Sequence, residues 1–482
     1  MRIKSILLLL VIALSAFFWT FINYQNRWTL SQDQARDAII GLYSIQHRSL
    51  PLVGPPSSLG FFSFGPFYYW LIVLFMALAP SVINAPWIGF SLFSIFEVIL
   101  FYFIGKSLGG KKFGFVLGIV ASFSSARVFH SVDLLNPILV PFFTTLAMYS
   151  MIKLLDTKKV FWAFLLSFSI AISINFHFQA LGLLSILVLI FIPFFKTEVS
   201  IKSLGWILLG LFIPFLPLIF FYWQTLLPLH ISQSSSFFSL FSIPKQFVKD
   251  SLFTWPNLFG ETLFFTPSLG YPIVLGVLGF FLWLYKQKIH LPKAIQIILS
   301  SLLIQIVFLP FYSGERTPVY LLVFHPYIIL LTSYIGWVLY QKWKSLGFIL
   351  FGLFLLLSTW SNISIIKGYT QRPFISQIKR TIDNQTRGKN QDKIDLYEAG
   401  NSDLISLPLF YLYLRENRIS DNGFKLGSCE YNCPSDGVPF LVKGTYSFYN
   451  LQDANPLQIA DLSFKKVTLQ RIYNYLSNYY TH

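Results

Sequence analysis

Two carboxylates four residues apart, Asp33 and Asp37, flank an arginine in the stretch Leu30-Ser31-Gln32-Asp33-Gln34-Ala35-Arg36-Asp37. On a helix this spacing puts both acids on one face, with Arg36 beside them. Like charges so close raise the pKa of one carboxylate, whereas the arginine lowers both. A carboxylate in a partly desolvated, electropositive cleft can act as general base toward an acceptor hydroxyl. The structural alternative is a helix cap, in which Asp33 satisfies free N–H groups of the first turn.

A second constellation is Arg127-Val-Phe-His130-Ser-Val-Asp133-Leu-Leu-Asn136-Pro137. It falls between two apolar runs, where a cation has few partners, so Arg127 and His130 are candidate phosphate contacts. Asp133 is a candidate for an acceptor or a metal. Asn136 before Pro137 has the pattern of a helix cap followed by a first-turn proline. Asn175-Phe-His177-Phe-Gln179 lies at another turn between apolar runs, and Arg316 in Ser313-Gly-Glu-Arg-Thr-Pro318 precedes His325-Pro326. Arg316 is a candidate for the same phosphate; in the structural alternative Glu315 neutralises it, an exposed pair contributing only ~0–1 kcal/mol. No Asp-x-Asp or histidine cluster calls for a metal. No cofactor is expected, although a divalent ion stays open.

The elements that must position these residues belong to a membrane protein. The chain has 482 residues, 55% hydrophobic and 12% charged, with mean hydropathy +0.61, more than a soluble core can bury. About eleven apolar segments read as spans: roughly 5–23, 86–105, 113–127, 137–155, 160–175, 178–195, 203–224, 271–286, 294–312, 321–340 and 345–362. The first is long enough to be an uncleaved anchor rather than a signal peptide. Fifteen basic residues, among them Lys106, Lys111, Lys153, Lys286 and Lys342, fall on one set of loops and seven on the other. The positive-inside rule makes the first set cytoplasmic, together with the N-terminus, and the tail external. The net charge of +16 is thereby explained by orientation, and no nucleic-acid partner is expected. The expected location is the plasma membrane.

Counting Phe61 to Pro80 as a span would invert every later loop. It is therefore read as a helix from Pro66 to Ala79 lying in the outer interface, within a first outer loop over 24–85 that also holds a helix from Gln34 to Gln46. The region 226–270 reads as a second long outer loop, a connector or a gate over the substrate. After residue 362 charges return, with strand-like segments at Lys393-Ile-Asp-Leu-Tyr and Pro439-Phe-Leu-Val and a helix from Leu404 to Arg415. The expected fold is thus an all-α polytopic membrane domain over 1–362 and a small α+β extracytoplasmic domain over 363–482. Cys429 and Cys433 suit a small disulfide loop or free thiols, and two cysteines without histidines make no zinc site.

This order of a first span, an acidic loop motif, a helix opening on Gly-Pro-aromatic-Tyr-Tyr, further spans and an external tail resembles the GT-C glycosyltransferases. These are membrane-embedded enzymes that use polyprenyl-phosphate-linked sugars, and the resemblance is close to the protein O-mannosyltransferase and aminoarabinose-transferase group. The pattern is most similar to RgtA/B/C/D-like bacterial proteins, including a branch with Asp-Gln-x-Arg-Asp, Gly-Pro-Pro and Gly-Pro-x-Tyr-Tyr. In this chain these are Asp33-Gln34-Ala35-Arg36-Asp37, Gly54-Pro55-Pro56 and Gly65-Pro66-Phe67-Tyr68-Tyr69. The match rests on the first ~180 residues and continues only as topology. It implies an inverting transfer of a hexose or pentose from the lipid carrier to a lipid, polysaccharide or protein hydroxyl, with Asp33 as base. Glu is common where Gln34 stands, so a second carboxylate role passes to Asp37 or is lost. Arg36, Tyr68, Tyr69, Arg127, His130, Asp133, Asn136, His177, Gln179, Arg316 and His325 are the candidate substrate contacts. The competing class is a transporter or flippase of lipid-linked saccharides. Such proteins show inverted repeats and ionisable groups deep in their spans, whereas Glu97 is the only clear one here. A sensor or assembly protein working through its tail is a third reading.

Overall fold

The computed structural model describes residues 2–57, 63–192, 197, 199–225, 247–308, 317–368, 372–386, 393–400, 403–421, 424–430, 441–443, 446–451 and 465–468. In chain order its helices are α1 (Arg2–Phe21), α2 (Gln32–His47), α3 (Phe67–Leu78), α4 (Ala85–Phe123), α5 (Ser125–His130), α6 (Val140–Thr157), α7 (Val160–Phe176), α8 (Leu184–Phe191) and α9 (Lys202–Phe212). There follow α10 (Leu216–Thr225), α11 (Phe247–Phe264), α12 (Gly270–Lys286), α13 (Lys293–Phe308), α14 (His325–Lys342), α15 (Lys344–Gly368), α16 (Arg372–Thr386) and α17 (Asp403–Arg415).

Contacts divide the chain into two units. The first comprises Met1–Tyr24, Leu52–Tyr68 and Ile88–Gly368; the second comprises Gln25–Pro51, Tyr69–Trp87 and Tyr369–His482.

The chain is a multi-pass membrane protein. Among the described residues six helical segments are long and apolar enough to cross a bilayer, the longest being α4, and shorter apolar helices include α1, α7 and α13. The expected spans 86–105 and 113–127 are the two arms of α4, which breaks at Gly109 and Gly110. Gly110 has φ +80°, a region that only glycine enters without strain. The arms then run in close contact, a β-carbon on Gly105 falling 2.8 Å from the α-carbon of Gly114.

The region expected as a second loop needs correction. Residues 226–246 lie outside the described residues, but Phe247–Phe264 is the helix α11, packed on α5, α12, α14 and α15. It buries Trp255, Leu258, Phe259, Thr262 and Leu263, which recur at helical spacing. Pro256 and the charged Lys249, Asp250 and Glu261 interrupt the apolar run and hide that period.

In the second unit, α2 and α3 lie on the first loop, close to the ranges expected for them. Gly41 of α2 sits so near α3 that a β-carbon there would come within 2.6 Å of Ile72. The tail carries a five-stranded sheet of order β3-β4-β2-β1-β5, with β1 at Ile394–Gly400, β2 at Phe424–Glu430, β3 at Leu441–Lys443, β4 at Tyr446–Asn450 and β5 at Lys465–Lys466. Strands β1 and β2 are parallel, so the chain must cross over between them, and α17 is that crossover. Cys429 on β2 is disulfide-bonded, and Cys433 lies outside the described residues.

Candidate active site

Helix α2 begins with a capping box in which Ser31 is the N-cap and the Gln34 side chain accepts the Ser31 backbone N–H at 3.0 Å. The cap is therefore Ser31 and not Asp33. Gln34, which replaces a glutamate common in the resemblance, serves the helix start. Asp33 stands in the first turn, where the helix dipole favours a negative charge, and its side chain is 61% exposed.

Arg36 joins the two acids. Its Nη1 donates to Asp33 at 2.8 Å and its Nε to Asp37 at 2.9 Å. The hydroxyl of Tyr69, on α3, donates to the same Asp37 oxygen at 3.1 Å. Asp37 is buried, its side chain 3% exposed. Burial pushes the Asp37 carboxyl above the usual carboxylate range, even though Arg36 and the Tyr69 hydrogen bond pull it down. For Arg36 burial acts against the charge, but Asp37, Tyr69 and Asp33 outweigh it and raise the guanidinium well above its ordinary value. The result is one open carboxylate tied through a permanent cation to an enclosed one. Arg36 Nη2 has no acceptor among the described residues.

The first unit gathers another group of polar residues. Arg127 donates Nε to the Ala121 carbonyl, Nη1 to the hydroxyls of Thr20 and Ser94, and Nη2 to the Ser122 carbonyl. These bonds tie α1, the two arms of α4 and α5 together. His130 lies 3.4 Å from Asp133 through Nδ1, and its ring centroid is 6.3 Å from that of His325. Ser94, Glu97, Arg127, His130, Ser131 and His325 supply the polar lining of a cavity of about 30 Å³, otherwise walled by Phe90, Phe93, Phe142 and aliphatic groups. It has room for one or two water-sized groups.

Nearby in this unit the glycine-proline motifs meet the Asn175 turn. The Gly54 N–H donates to the Phe64 carbonyl at 2.8 Å, and the Gly65 N–H donates to the Asn175 carbonyl at 3.1 Å. A β-carbon on Gly65 would overlap the Asn175 amide at 1.3 Å, and one on Gly54 would meet the Gly65 carbonyl at 2.1 Å. Asn136 does not cap a helix. It opens a short 3₁₀ turn whose N-cap is Leu135, and its amide donates to the Phe176 carbonyl at 2.8 Å. His177 is stacked between Phe64 at 5.3 Å and Tyr320 at 4.6 Å, and burial pushes its pKa down to about 3. It is a neutral ring, unsuited to hold a phosphate by charge. The Gln179 amide is enclosed, with neither nitrogen nor oxygen hydrogen-bonded among the described residues. Tyr68 is fully buried and donates to the Leu134 carbonyl.

No protein-family model matches the chain, and no curated protein matches it in sequence. Solved structures do match its fold. ArnT from Cupriavidus metallidurans, in a crystal structure bound to undecaprenyl phosphate, superposes with a TM-score of 0.57 at 11% identity, covering 92% of this chain and 97% of that one. The chain has the GT-C fold. Two structures of the Archaeoglobus fulgidus oligosaccharyltransferase are similar at a TM-score of 0.48 and 10% identity. The AglB complex with an inhibitory peptide and a dolichol-phosphate covers 98% of this chain and 77% of that one. The apo form covers 86% and 64%, so this chain spans less than two thirds of that protein.

Within this GT-C chain the sequence-predicted residues fall into sets. Asp33, Arg36, Asp37 and Tyr69 come together in the second unit, whereas Arg127, His130, Asp133 and His325 do so in the first. Asn136, His177 and Gln179 form a separate turn cluster, and Arg316 lies outside the described residues. Sequence reasoning missed Tyr320, which carries no local signal, and gave Glu97 no role at the site. Among the described residues no three His, Cys, Asp or Glu side chains gather as a metal site would require.

Proposed function

We propose that this chain is an integral-membrane glycosyltransferase that moves a sugar from a polyprenyl-phosphate carrier to an acceptor hydroxyl on the extracytoplasmic side. The observation that carries the reading is the Asp33–Arg36–Asp37 triad, with its open carboxylate, on the first loop of a GT-C fold. The undecaprenyl phosphate in the ArnT structure supports the donor class.

In the reaction the acceptor oxygen forms a bond to the anomeric carbon as the bond from that carbon to the phosphate oxygen breaks. The electron pair leaves with the polyprenyl phosphate, and the acceptor proton passes to Asp33. Phosphate leaves readily without protonation, so one base and cations for the departing charge suffice. A single displacement inverts the anomeric configuration. Arg36 holds Asp33 by Nη1 and keeps Nη2 for an anionic oxygen. Tyr69 and Asp37 fix Arg36 in turn, the second carboxylate working as an orienting group. Within the first unit, His130 and Arg316 are proposed as contacts for an anionic group. Arg127, spent largely on protein acceptors, is proposed to shape the cavity.

The test is purified protein in lipid vesicles with a panel of undecaprenyl-phosphate sugars, read as sugar incorporated and carrier released. Transfer is expected with at least one donor, and Asp33→Asn should lower it by about 10²–10⁴ at normal expression. Near-full activity of that variant removes the base assignment. Movement of intact carrier across the bilayer without bond cleavage would establish the transporter reading instead.

A further inference from the structure

A helix that crosses over between parallel strands lies on one face of the sheet and usually turns its other face to water. Helix α17 does not. Leu409, Phe410, Tyr411, Leu412 and Tyr413 are all buried, a run longer than the ~3.6 residues of one turn, so every side of the helix is covered there. One cover is the sheet strand β1; another is α2, the helix of Asp33, Arg36 and Asp37.

The same helix also grips the chain just beyond α3. The Tyr411 hydroxyl donates to the Ile83 carbonyl. Arg415 Nη2 donates to the carbonyls of both Pro80 and Val82 at 2.7 Å. The Tyr411 ring lies 5.9 Å from Trp87, which meets Trp28 edge-on at 5.1 Å. Helix α2 is thereby packed against α17 and, through Gly41 and Asp37, against α3, while α17 fixes the exit from α3.

We infer that the C-terminal segment is a working part of the first loop: α17 sets the position of α2, and Tyr411 and Arg415 are positioning residues for the Asp33–Arg36–Asp37 triad. The reaction named for that triad is the one proposed above; the mechanical coupling is independent of it. An isolated tail would expose the α17 face that α2 covers, an apolar surface with no reason to exist on a free module.

The test uses the full chain in nanodiscs with Arg415→Ala, Arg415→Lys and Tyr411→Phe. Amide exchange in α2 should quicken about tenfold in Arg415→Ala, the response to losing a charge-assisted pair that restrains a local opening. The turnover number per folded molecule should fall by a similar factor with the donor KM unchanged, and Arg415→Lys should recover part of both. A role in folding alone would reduce the amount of protein and leave exchange in α2 and turnover per folded molecule as in the wild type. That pattern overturns the inference. Should Arg415→Ala fail to accumulate, Tyr411→Phe, which removes one hydroxyl, carries the same readouts. If the wild type transfers no sugar, the glycosyl-transfer reading fails, and exchange in α2 alone decides the coupling.

Discussion

Asp33 and Asp37 differ only in their neighbours: one side chain is 61% exposed, the other 3%. The spacing in the sequence brings both onto one face with Arg36, and the structure agrees. The enclosed carboxylate accepts from Tyr69, more than thirty residues away, and nothing local to Asp37 in the sequence announces that partner. The Gln179 amide presents the opposite situation, a buried polar head without a hydrogen bond among the described residues. Such a group destabilises the fold by about 1–3 kcal/mol, a cost that is understandable if a sugar hydroxyl fills the bond during turnover. Gln179→Leu should therefore raise the thermal midpoint of the protein while lowering the specificity constant for the sugar donor. A variant less stable than the wild type, or equally active, would show the amide to be structural. His177, two residues earlier, looked from sequence like a partner for the same ligand. The structure stacks its ring between Phe64 and Tyr320.

Elements were legible wherever one period ran unbroken. The spans, α2, α3 and α17 fall close to their expected ranges because apolar runs and Gly-Pro boundaries mark them directly. Helix α11 was not, since Pro256 and three charges mask a burial period that becomes plain only when its neighbours are known. Between α16 and α17 an ion cluster offers a test at this scale. Asp383 accepts from Lys379 at 2.8 Å, from Arg418 at 2.6 Å and from the Tyr413 hydroxyl at 3.3 Å. Burial would raise its carboxyl, but Lys379 and Arg418 outweigh that and hold it below its ordinary 3.8. A depressed carboxyl stabilises the fold fully above the unfolded pKa, and the contribution disappears as pH falls through the folded value. Asp383→Asn should accordingly speed amide exchange in α17 at neutral pH, with the gap to the wild type closing in acid below that folded value. A gap that stays constant with pH would mean the carboxylate charge contributes nothing.

At the scale of the whole molecule, grouping the first loop with the tail joins residues more than 300 positions apart, as in the Arg415–Pro80 bond. Such contacts leave almost no trace in a single sequence. Orientation is written differently, as a sum over many weak preferences. Fifteen basic residues against seven on alternate loops favour one insertion, each counting only near a span end. On that count Asp33 is expected outside the cell, the side on which the proposed reaction has lipid-linked sugars meet their acceptors. Ser49, after α2, and Thr157, the last residue of α6, are both exposed, at positions that this orientation assigns to opposite sides. In intact cells an impermeant maleimide should label Ser49→Cys, and Thr157→Cys should react only after lysis. The native Cys429 is disulfide-bonded and contributes no background. The reverse pattern would turn the Asp33 loop to the cytoplasm and leave the open carboxylate of the triad without an extracytoplasmic acceptor to deprotonate, whatever its own geometry.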